Sequence, residues 1–209
     1  MALPMKTKHA SETEDLESRR KIVKFSVVKN AEAPHVETTE LASFEQAMLP
    51  HLDAAYNLAR WLMRNEQDAQ DIVQEAYLRA FKSFGGFRGS NGRAWLLTIV
   101  RNTSYTLLKK NRAADLTITF DEEIHASGDG LGSPTTILEH AEDAELISNA
   151  MNELPADFRE ILTLRHQEDL SYQEIGDILK IPAGTVMSRL ARARAKLKEC
   201  LISNISQEK

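Results

Sequence analysis

The residues with the clearest chemistry lie in LSYQEIGDILKIPAGTVMSRLARARAKLK, residues 170–198. Ser171 is followed three residues later by Glu174, a spacing typical of the capping box that begins a helix. That helix must end near Ile181, because a residue before a proline is disfavoured in helical backbone. Pro182 then suits the first turn of a second helix, where its missing N–H needs no partner. Helix, short turn and helix form the unit that places its second helix in the major groove of DNA.

The second helix of this unit separates into two faces when projected at about 100° per residue. The side predicted to face the core carries Val186, Leu190, Ala193 and Leu197. On the other side, small residues between long basic ones would let the helix sit deep in a groove while arginines pair with guanine. The first turn suits a phosphate, because its N–H groups are free. The residues predicted to contact duplex DNA are Thr185, Met187, Ser188, Arg189, Ala191, Arg192 and Lys196.

Gly176 lies in the middle of the first helix of the unit. Glycine inside a helix costs about 1 kcal/mol relative to alanine. The sequence therefore predicts that another helix approaches Gly176 closely.

The net charge of −5 hides a segregated pattern of charges. Residues 76–114 contain eight Lys and Arg and no Asp or Glu, whereas residues 113–157 contain eleven Asp and Glu and no Lys or Arg. Basic residues return after residue 158 and concentrate after residue 180. Two basic patches therefore flank an acidic stretch, and both are compatible with a polyanionic partner.

Apolar residues recur every three to four positions from Leu41 onward, which predicts amphipathic helices. The first is expected to end at Asn65, the second to be capped by Asp68, and the third to follow the loop at residues 87–92. A further set of helices follows the acidic stretch and breaks at Pro155. The predicted fold class is all-α, with two small helical domains. The predicted units are a disordered N-terminal arm (1–40), a first domain (41–112), a flexible acidic linker (113–136), a second domain (137–202) and a polar tail (203–209).

Several classes of protein are disfavoured by the composition. The single cysteine, Cys200, allows no internal disulfide, and no Cys or His spacing fits a metal site. The six histidines are scattered and no nucleophile–base motif is present, so neither catalysis nor a cofactor is expected. The N-terminus lacks the apolar core of a signal peptide, and no apolar run reaches the roughly 18 residues of a membrane span. We therefore expect a soluble cytoplasmic protein.

Two blocks of sequence carry a family resemblance. The block at residues 68–112 reads DAQDIVQEAYLRAFKSFGGFRGSNGRAWLLTIVRNTSYTLLKKNR and resembles region 2 of bacterial sigma factors of the extracytoplasmic-function group. The block at residues 154–198 reads LPADFREILTLRHQEDLSYQEIGDILKIPAGTVMSRLARARAKLK and resembles region 4 of the same group. The two blocks stand in the family's order and at its separation, which is more specific than either block alone.

The resemblance implies roles for the first block. Its opening residues match the segment that docks on the coiled coil of the β′ subunit of RNA polymerase, although acids there also favour the helix dipole. Residues 84–91 match the loop that holds a base flipped out of the −10 element. The implied docking residues are Asp68, Asp71, Ile72, Gln74, Glu75 and Leu78. The implied contacts with the melted strand are Arg88, Ser90, Asn91, Arg93, Trp95, Asn102 and Tyr105, with Lys109, Lys110 and Arg112 on the phosphate backbone.

Trp95 and Met187 differ from the other residues whose roles the resemblance implies. Trp95 lies on the apolar stripe of its helix, so it has a core interpretation as well as one of stacking on an exposed base. In region 4 the implied readers of the −35 element are Met187, Ser188, Ala191 and Arg192, on the outward face. Position 187 is often Lys or Arg in the family and is Met here, which has no hydrogen-bond donor.

The resemblance thus implies a transcription initiation factor without chemistry of its own. Its implied partners are core RNA polymerase (the β′ coiled coil and the β flap), promoter DNA and an anti-sigma protein, with no insertion into a membrane. Region 4 would read the −35 duplex, and region 2 would bind the melted −10 strand better than duplex and so favour the open state. The alternative is a stand-alone helix-turn-helix regulator. Transcription of a promoter by the chain with core polymerase distinguishes the two.

Overall fold

The structure, a computed structural model, describes residues 38–89, 91–115 and 136–207. Every regular element in these ranges is helical, which confirms the all-α class. The first group comprises α1 (Thr38–Met48), α2 (Leu52–Met63), α3 (Glu66–Ser83) and α4 (Gly92–Asp115), with 3-10 turns at Leu49–His51 and Phe84–Gly86. The second group comprises α5 (Thr136–Glu153), α6 (Ala156–Leu162), a π-helical turn (Thr163–Gln167), α7 (Tyr172–Leu179) and α8 (Ala183–Gln207). Most of the predicted N-terminal arm and residues 116–135 of the predicted linker lie outside the described residues.

The first group forms a bundle in which α2, α3 and α4 pack on one another. Leu58, Tyr77 and Leu96, one from each of these helices, are completely buried at its centre. The hydroxyl of Tyr77 donates a hydrogen bond of 2.8 Å to the carbonyl oxygen of Met48, which ties the end of α1 to α3. This core fixes the position of α4, which carries most of the residues predicted to contact a melted strand.

Two helix boundaries in this bundle differ from the prediction. The first predicted helix is divided into α1 and α2 by a 3-10 turn, because Pro50 has no N–H to donate and its ring crowds the preceding turn. The N-cap of α3 is Asn65 and not Asp68: the side-chain oxygen of Asn65 accepts from the backbone N–H of Gln67 at 2.8 Å and of Asp68 at 3.2 Å. Asp68 lies in the first turn, where its charge favours the helix dipole.

Helices α7 and α8 form the predicted helix-turn-helix. Ser171 Oγ accepts from the backbone N–H of Glu174 at 3.2 Å, and Glu174 Oε2 accepts from the backbone N–H of Ser171 at 2.9 Å, so the capping box is confirmed. Lys180 adopts the left-handed conformation (φ 57°) that ends α7. The carbonyl oxygen of Pro182 accepts from the N–H of Val186 at 3.1 Å, which places Pro182 just before α8 and not in its first turn.

A close approach at Gly176 is present, but its nearest partner is the turn and not, as predicted, another helix. A Cβ atom at this position would lie 2.8 Å from the carbonyl oxygen of Ile181 and 3.8 Å from Cγ2 of Val186. The nearest neighbour is thus the backbone of the turn, and the next helix lies behind it. The glycine allows the turn to fold back tightly on α7.

The two groups of helices pack on each other, with α6 against α2 and α7 against α4. Three charged side chains of the second group, Arg159, Glu160 and Glu168, are no more than 4% exposed. Their hydrogen-bonding partners in the first group lie 55 to 111 positions away along the chain. Local sequence patterns did not predict this contact, because they connect only residues that are close in sequence.

Candidate nucleic-acid interface

The predicted duplex-reading face of α8 is open to solvent. On its inner side, Val186, Leu190 and Ala193 are at most 1% exposed and hold α8 against the rest of the second bundle. On its outer side, Met187 is 57% exposed. An α-helix fits the major groove of B-DNA, so this face has the access that base reading requires. All seven predicted contacts are exposed or partly exposed, namely Thr185, Met187, Ser188, Arg189, Ala191, Arg192 and Lys196.

Side chains on this face are held by their own helix. Ser188 Oγ donates to the carbonyl oxygen of Thr185 at 3.0 Å, and Arg192 Nε lies 3.4 Å from the carbonyl oxygen of Ser188. Lys196 pairs with Glu199 at 2.9 Å, and this hydrogen bond and charge raise the pKa of Lys196. Lys196 is therefore charged on this face, with Glu199 offsetting part of its charge.

One further basic residue of α8, Arg194, was not among the predicted contacts. Its Nε lies 3.3 Å from Nε2 of His166. Burial and the charges of Arg194 and Arg165 lower the pKa of His166, so the imidazole is neutral and accepts the hydrogen bond. Arg194 is thus directed to the second bundle and lies apart from the reading face.

The loop before α4 is supported by a row of aromatic rings. The ring centroids of Phe84 and Phe87 are 6.2 Å apart, and those of Phe87 and Trp95 are 4.8 Å apart. Trp95 therefore supports the loop, as its core interpretation predicted, and remains partly exposed. Arg88 is exposed and donates through Nη1 to a backbone carbonyl oxygen of the loop at 2.7 Å. Ser90 lies outside the described residues.

Three predicted melted-strand contacts at the start and middle of α4 are bonded to carboxylates of the second bundle. Asn91 also caps α4, because its Oδ1 accepts from the backbone N–H of Ala94 at 2.9 Å. The three pairs are Asn91 with Glu174 (Nδ2 to Oε1, 3.0 Å), Arg93 with Glu168, and Tyr105 with Glu160 (hydroxyl to Oε2, 3.2 Å). The structure therefore brings these three residues to the side of the first bundle that contacts the second, where Asn91 stays exposed and Arg93 and Tyr105 are partly exposed.

Farther along α4, the predicted contacts are open to solvent where the structure describes their side chains. Asn102 is exposed, and its backbone carbonyl accepts from the hydroxyl of Thr106 at 2.7 Å. Lys109 and Lys110 are exposed on the last part of the helix. The side chain of Arg112 lies outside the described residues.

Glu168 joins two helices of the first bundle. Its carboxylate pairs with Arg93 of α4 and accepts from Asn57 Nδ2 of α2 at 3.1 Å. Next to it, Trp61 Nε1 donates to Gln167 Oε1 at 2.8 Å. Sequence reasoning missed these residues, because the bonded positions are 75 to 111 residues apart and no local spacing pattern connects them. The missed residues in the contact are Asn57, Trp61, Arg101, Arg159, Glu160, Gln167 and Glu168.

Glu160 is a completely buried carboxylate between the bundles. Its Oε1 lies 2.7 Å from Arg101 Nε, and the Arg101 guanidinium lies 4.8 Å from the centre of the Tyr105 ring. Burial raises the pKa of Glu160 to about 7, although Arg101 and the Tyr105 hydroxyl oppose the shift. Burial and the charge of Glu160 also raise the pKa of Tyr105, so its hydroxyl stays protonated and donates.

The residues predicted to dock on polymerase lie along α3. Asp71 and Glu75 are exposed about one turn apart, and Glu75 forms an ion pair with Arg79 at 2.7 Å. Ile72 is only 3% exposed, so it supports α3 from the core and presents nothing to a partner. The partly exposed members of the set are Asp68, Gln74 and Leu78.

The described ranges also bear on metal binding and on membrane spans. Among those residues, no three His, Cys, Asp or Glu side chains come together as metal ligands. None of the described helices combines the length and apolar character needed to cross a membrane.

Comparison with known proteins identifies the two bundles. Residues 48–114 match the family described as Sigma-70 region 2, and residues 144–197 match the family described as Sigma-70, region 4. These ranges contain the whole of the first block and all but the last residue of the second block, whose resemblance the sequence had indicated.

Individual relatives agree with these matches. The RNA polymerase sigma-H factor of Pseudomonas aeruginosa is 30% identical over 79% of this chain and 90% of its own length. The ECF RNA polymerase sigma-E factor of Escherichia coli K12 is 32% identical over 61% of this chain and 70% of its own. The sigma factor RpoE of Bartonella quintana, solved in complex with the anti-sigma factor NepR, is similar in structure (TM-score 0.63, 31% identity, 76% of this chain and 96% of that one). This chain therefore belongs to the sigma-70 family, in the extracytoplasmic-function group of RNA polymerase sigma factors that direct promoter-specific initiation of transcription.

Proposed function

We propose that region 4 reads the −35 element through the exposed face of α8. The observation that supports this proposal is the division of α8 into two sides. Its apolar side chains are buried on the inner side, and polar and basic side chains project into solvent on the outer side. Arg192 is the strongest candidate for a base contact, since arginine pairs bidentately with guanine in the major groove. Arg189 and Lys196 lie on the flanks of the face, and Thr185 lies in the first turn, where backbone N–H groups favour a phosphate. Met187, Ser188 and Ala191 complete the reading face.

Region 2 holds the melted −10 strand on α4 and the loop before it. The loop offers Arg88 and Ser90, and α4 offers Asn102 on an exposed face. Asn91, Arg93 and Tyr105 add amide, guanidinium and phenol groups of the kinds that hold unpaired bases and phosphates. Trp95 supports the loop from behind. Lys109, Lys110 and Arg112 contact phosphates farther along the strand.

Core RNA polymerase docks on the exposed side of α3. Asp71 and Glu75 form an acidic surface there, and Asp68, Gln74 and Leu78 border it. As the family membership implies, the chain acts in the cytoplasm as a non-catalytic subunit that recognises DNA and docks on polymerase. The domain limits of this assignment are residues 41–112 and 137–202, joined by the acidic linker at 113–136.

An anti-sigma protein is a further partner of this chain. The support is the similarity to Bartonella quintana RpoE, which was solved with the anti-sigma factor NepR and is matched over 96% of its length. An anti-sigma protein that covers the polymerase-docking and DNA-reading surfaces would keep this chain from initiating transcription.

The test is transcription in vitro with core RNA polymerase and a library of promoter sequences. The chain with core enzyme should produce transcripts from a subset of templates that share a −35 and a −10 sequence, whereas core enzyme alone should not. A chain that binds duplex DNA but yields no promoter-dependent transcript with core enzyme would instead be a stand-alone regulator.

A further inference from the structure

Met187 is a large apolar side chain on a face of α8 that is otherwise polar, basic or small. It is 57% exposed, although the residue before it, Val186, is completely buried. Methionine has no hydrogen-bond donor, so Met187 cannot donate to a phosphate or to the acceptor atoms of guanine. Any part that Met187 takes in reading DNA must therefore come from apolar contact.

The surroundings of Met187 leave its side chain accessible to a ligand. Among the described residues, Met187 lies outside the apolar core that holds α8 in place. One turn earlier in the helix, a Cβ atom at Gly184 would have nothing within 4 Å. Helical side chains lean toward the N-terminus of their helix, which is the side on which this space is open. Met187 therefore has room to settle against a group that enters from solvent.

Two alanines continue the apolar surface of Met187 along the helix. Ala191 follows one turn later, displaced by about 40° around the axis, and Ala195 follows one turn after that. Both alanines are exposed. Each projects only a methyl group, so the helix can approach the bases closely at these positions. We call these three residues the apolar strip of α8. The strip lies beside the polar side chains of Ser188 and Arg192.

The major groove contains one apolar group that matches this surface, the C5-methyl group of thymine. Contact with Met187 would remove this methyl group from water, which is favourable. The other base edges present hydrogen-bonding atoms, such as N7 and O6 of guanine. A methionine that covers such atoms displaces their water and offers no hydrogen bond in return, which is unfavourable. Met187 would thus favour thymine and disfavour guanine at the base pair it covers.

We propose that Met187 determines part of the promoter specificity, by reading a thymine of the −35 duplex through its C5-methyl group and rejecting guanine at that position. This proposal rests on the proposed function of α8 as the reading helix. Met187 and Arg192 then recognise different base pairs by different chemistry. Arg192 uses hydrogen bonds to guanine, and Met187 uses apolar contact with thymine.

Replacement of thymine by deoxyuridine tests this contact, because it removes the methyl group and keeps the pairing. A promoter that responds to the chain with core RNA polymerase is taken from the promoter library, and each thymine of its −35 element is replaced singly on both strands. Binding of the complete polymerase is measured by competition with the unmodified promoter. At one position the replacement should weaken binding of the wild-type enzyme roughly fourfold, the effect of one buried methyl group. With Met187→Ala the same replacement should have little effect.

Other variants separate this contact from general changes in α8. Ile202→Ala is the matched control, because Ile202 is a large apolar residue of the same helix, 55% exposed and beyond the reading face. This control should keep the whole effect of the methyl group. Met187→Leu should keep most of it, since leucine is apolar and of similar volume. With Met187→Lys, a repeat of the library experiment should select guanine in place of thymine at that one position.

Three results would overturn the proposal. The first is a −35 element in which no thymine shows an effect of its methyl group with wild type. The second is an effect that persists in Met187→Ala, and the third is an effect lost equally in Met187→Ala and Ile202→Ala.

Failure of the proposed function is distinguishable from failure of this inference. If the chain yields no promoter-dependent transcript with core enzyme, its role in initiation fails. The deoxyuridine replacements are then made in duplexes that the full chain alone selects from a random library. A methyl effect that depends on Met187 in the selected duplex would support the inference. Selection of no sequence, or of one without this effect, would overturn it.

Discussion

The guanidinium of Arg159 caps a helix in the other region: its Nε donates a hydrogen bond of 2.6 Å to the carbonyl oxygen of Trp61, at the carboxyl end of α2. Its Nη2 lies 3.4 Å from the carbonyl oxygen of Leu62, and its Nη1 donates to the carbonyl oxygen of Leu154. The last carbonyls of a helix lack partners within it and carry partial negative charge. Burial lowers the pKa of Arg159 to about 10, so the group remains a cation at neutral pH. Arg159 thus joins region 4 to region 2.

Arg159→Ala should therefore favour separation of the regions. The change leaves carbonyl groups without their donor, which costs about 1–3 kcal/mol when they are buried. Trp61 emission in the Trp95→Phe background should move to longer wavelength. Arg165→Ala is the matched control, because the hydrogen bonds that Arg165 makes among the described residues lie within region 4, to Asp169 and Leu170, and its loss should not change Trp61 emission. An identical shift in both variants would contradict the capping role.

Separation of the regions should also depend on pH through Glu160. The pKa of Glu160 is about 7 while the two regions are packed together, and it should return toward its ordinary value of 4.5 when region 2 no longer buries it. The packed state therefore holds the proton more tightly, and rising pH favours separation of the regions. From pH 6.5 to 8 the equilibrium constant for opening should rise roughly fourfold.

Glu160 is the group in this contact whose raised pKa falls within this range. The positive charges that act on it are those of Arg101 and Arg189, and the Tyr105 hydroxyl stays protonated because its pKa is raised. The pKa of His166 is lowered, so this histidine is neutral above pH 6.5. Glu160→Gln should abolish the pH dependence of Trp61 emission. If Trp61 emission still changes with pH in this variant, the titration belongs to another group.

Within each region, the sequence was sufficient to predict the local architecture. The capping box of Ser171 and Glu174 and the buried stripe of α8 depend on contacts between neighbours in sequence, which spacing alone reveals. The boundary errors have local causes as well. Asn65 and Asp68 are both good capping residues, and only the backbone geometry selects Asn65.

The contact between the regions could not be predicted in this way. Glu168 has no neighbour in sequence that marks it as buried, and it looks like one of many surface acids. Its burial follows from Asn57 and Arg93, which lie 111 and 75 positions away and reach it only when both bundles have formed. For the same reason, Arg93 could be predicted as a DNA contact but not as the partner of an acid.

Gly176→Ala should destabilise region 4. The added Cβ would meet the carbonyl oxygen of Ile181 at 2.8 Å, and backbone cannot give way as a flexible side chain can. Overpacking of this kind costs about 1–3 kcal/mol of stability. We expect this cost to exceed the roughly 1 kcal/mol that alanine gains over glycine in helix propensity. Gly184→Ala is the control, since a Cβ there has nothing within 4 Å. Urea unfolding followed by circular dichroism should show a lower midpoint for the first variant and an equal or higher one for the second.

Asn102→Ala should impair promoter melting without altering the fold. Asn102 is exposed on α4, and its backbone carbonyl, which accepts from Thr106, is retained on substitution. Loss of one hydrogen bond to a −10 base costs about 1 kcal/mol, or roughly fivefold in open complex. Permanganate reactivity of unpaired thymines, measured with core enzyme on a responsive promoter, should fall while duplex affinity stays unchanged. Reactivity equal to that of wild type would remove Asn102 from the strand-binding set.

Arg192→Ala should reduce transcription through the −35 element alone. Arg192 is exposed on the reading face of α8, and a bidentate contact with guanine is worth about 1–3 kcal/mol of discrimination. Arg194→Ala is the matched control, because it removes the same charge from the same helix but from a side chain held by His166. On a responsive promoter, transcription with Arg192→Ala should fall roughly tenfold or more, and transcription with Arg194→Ala should fall much less. On the same promoter with a scrambled −35 element, Arg192→Ala and wild type should be equally weak, since the base that Arg192 reads is then gone. A loss of the same size on both templates would instead assign Arg192 to the phosphate backbone.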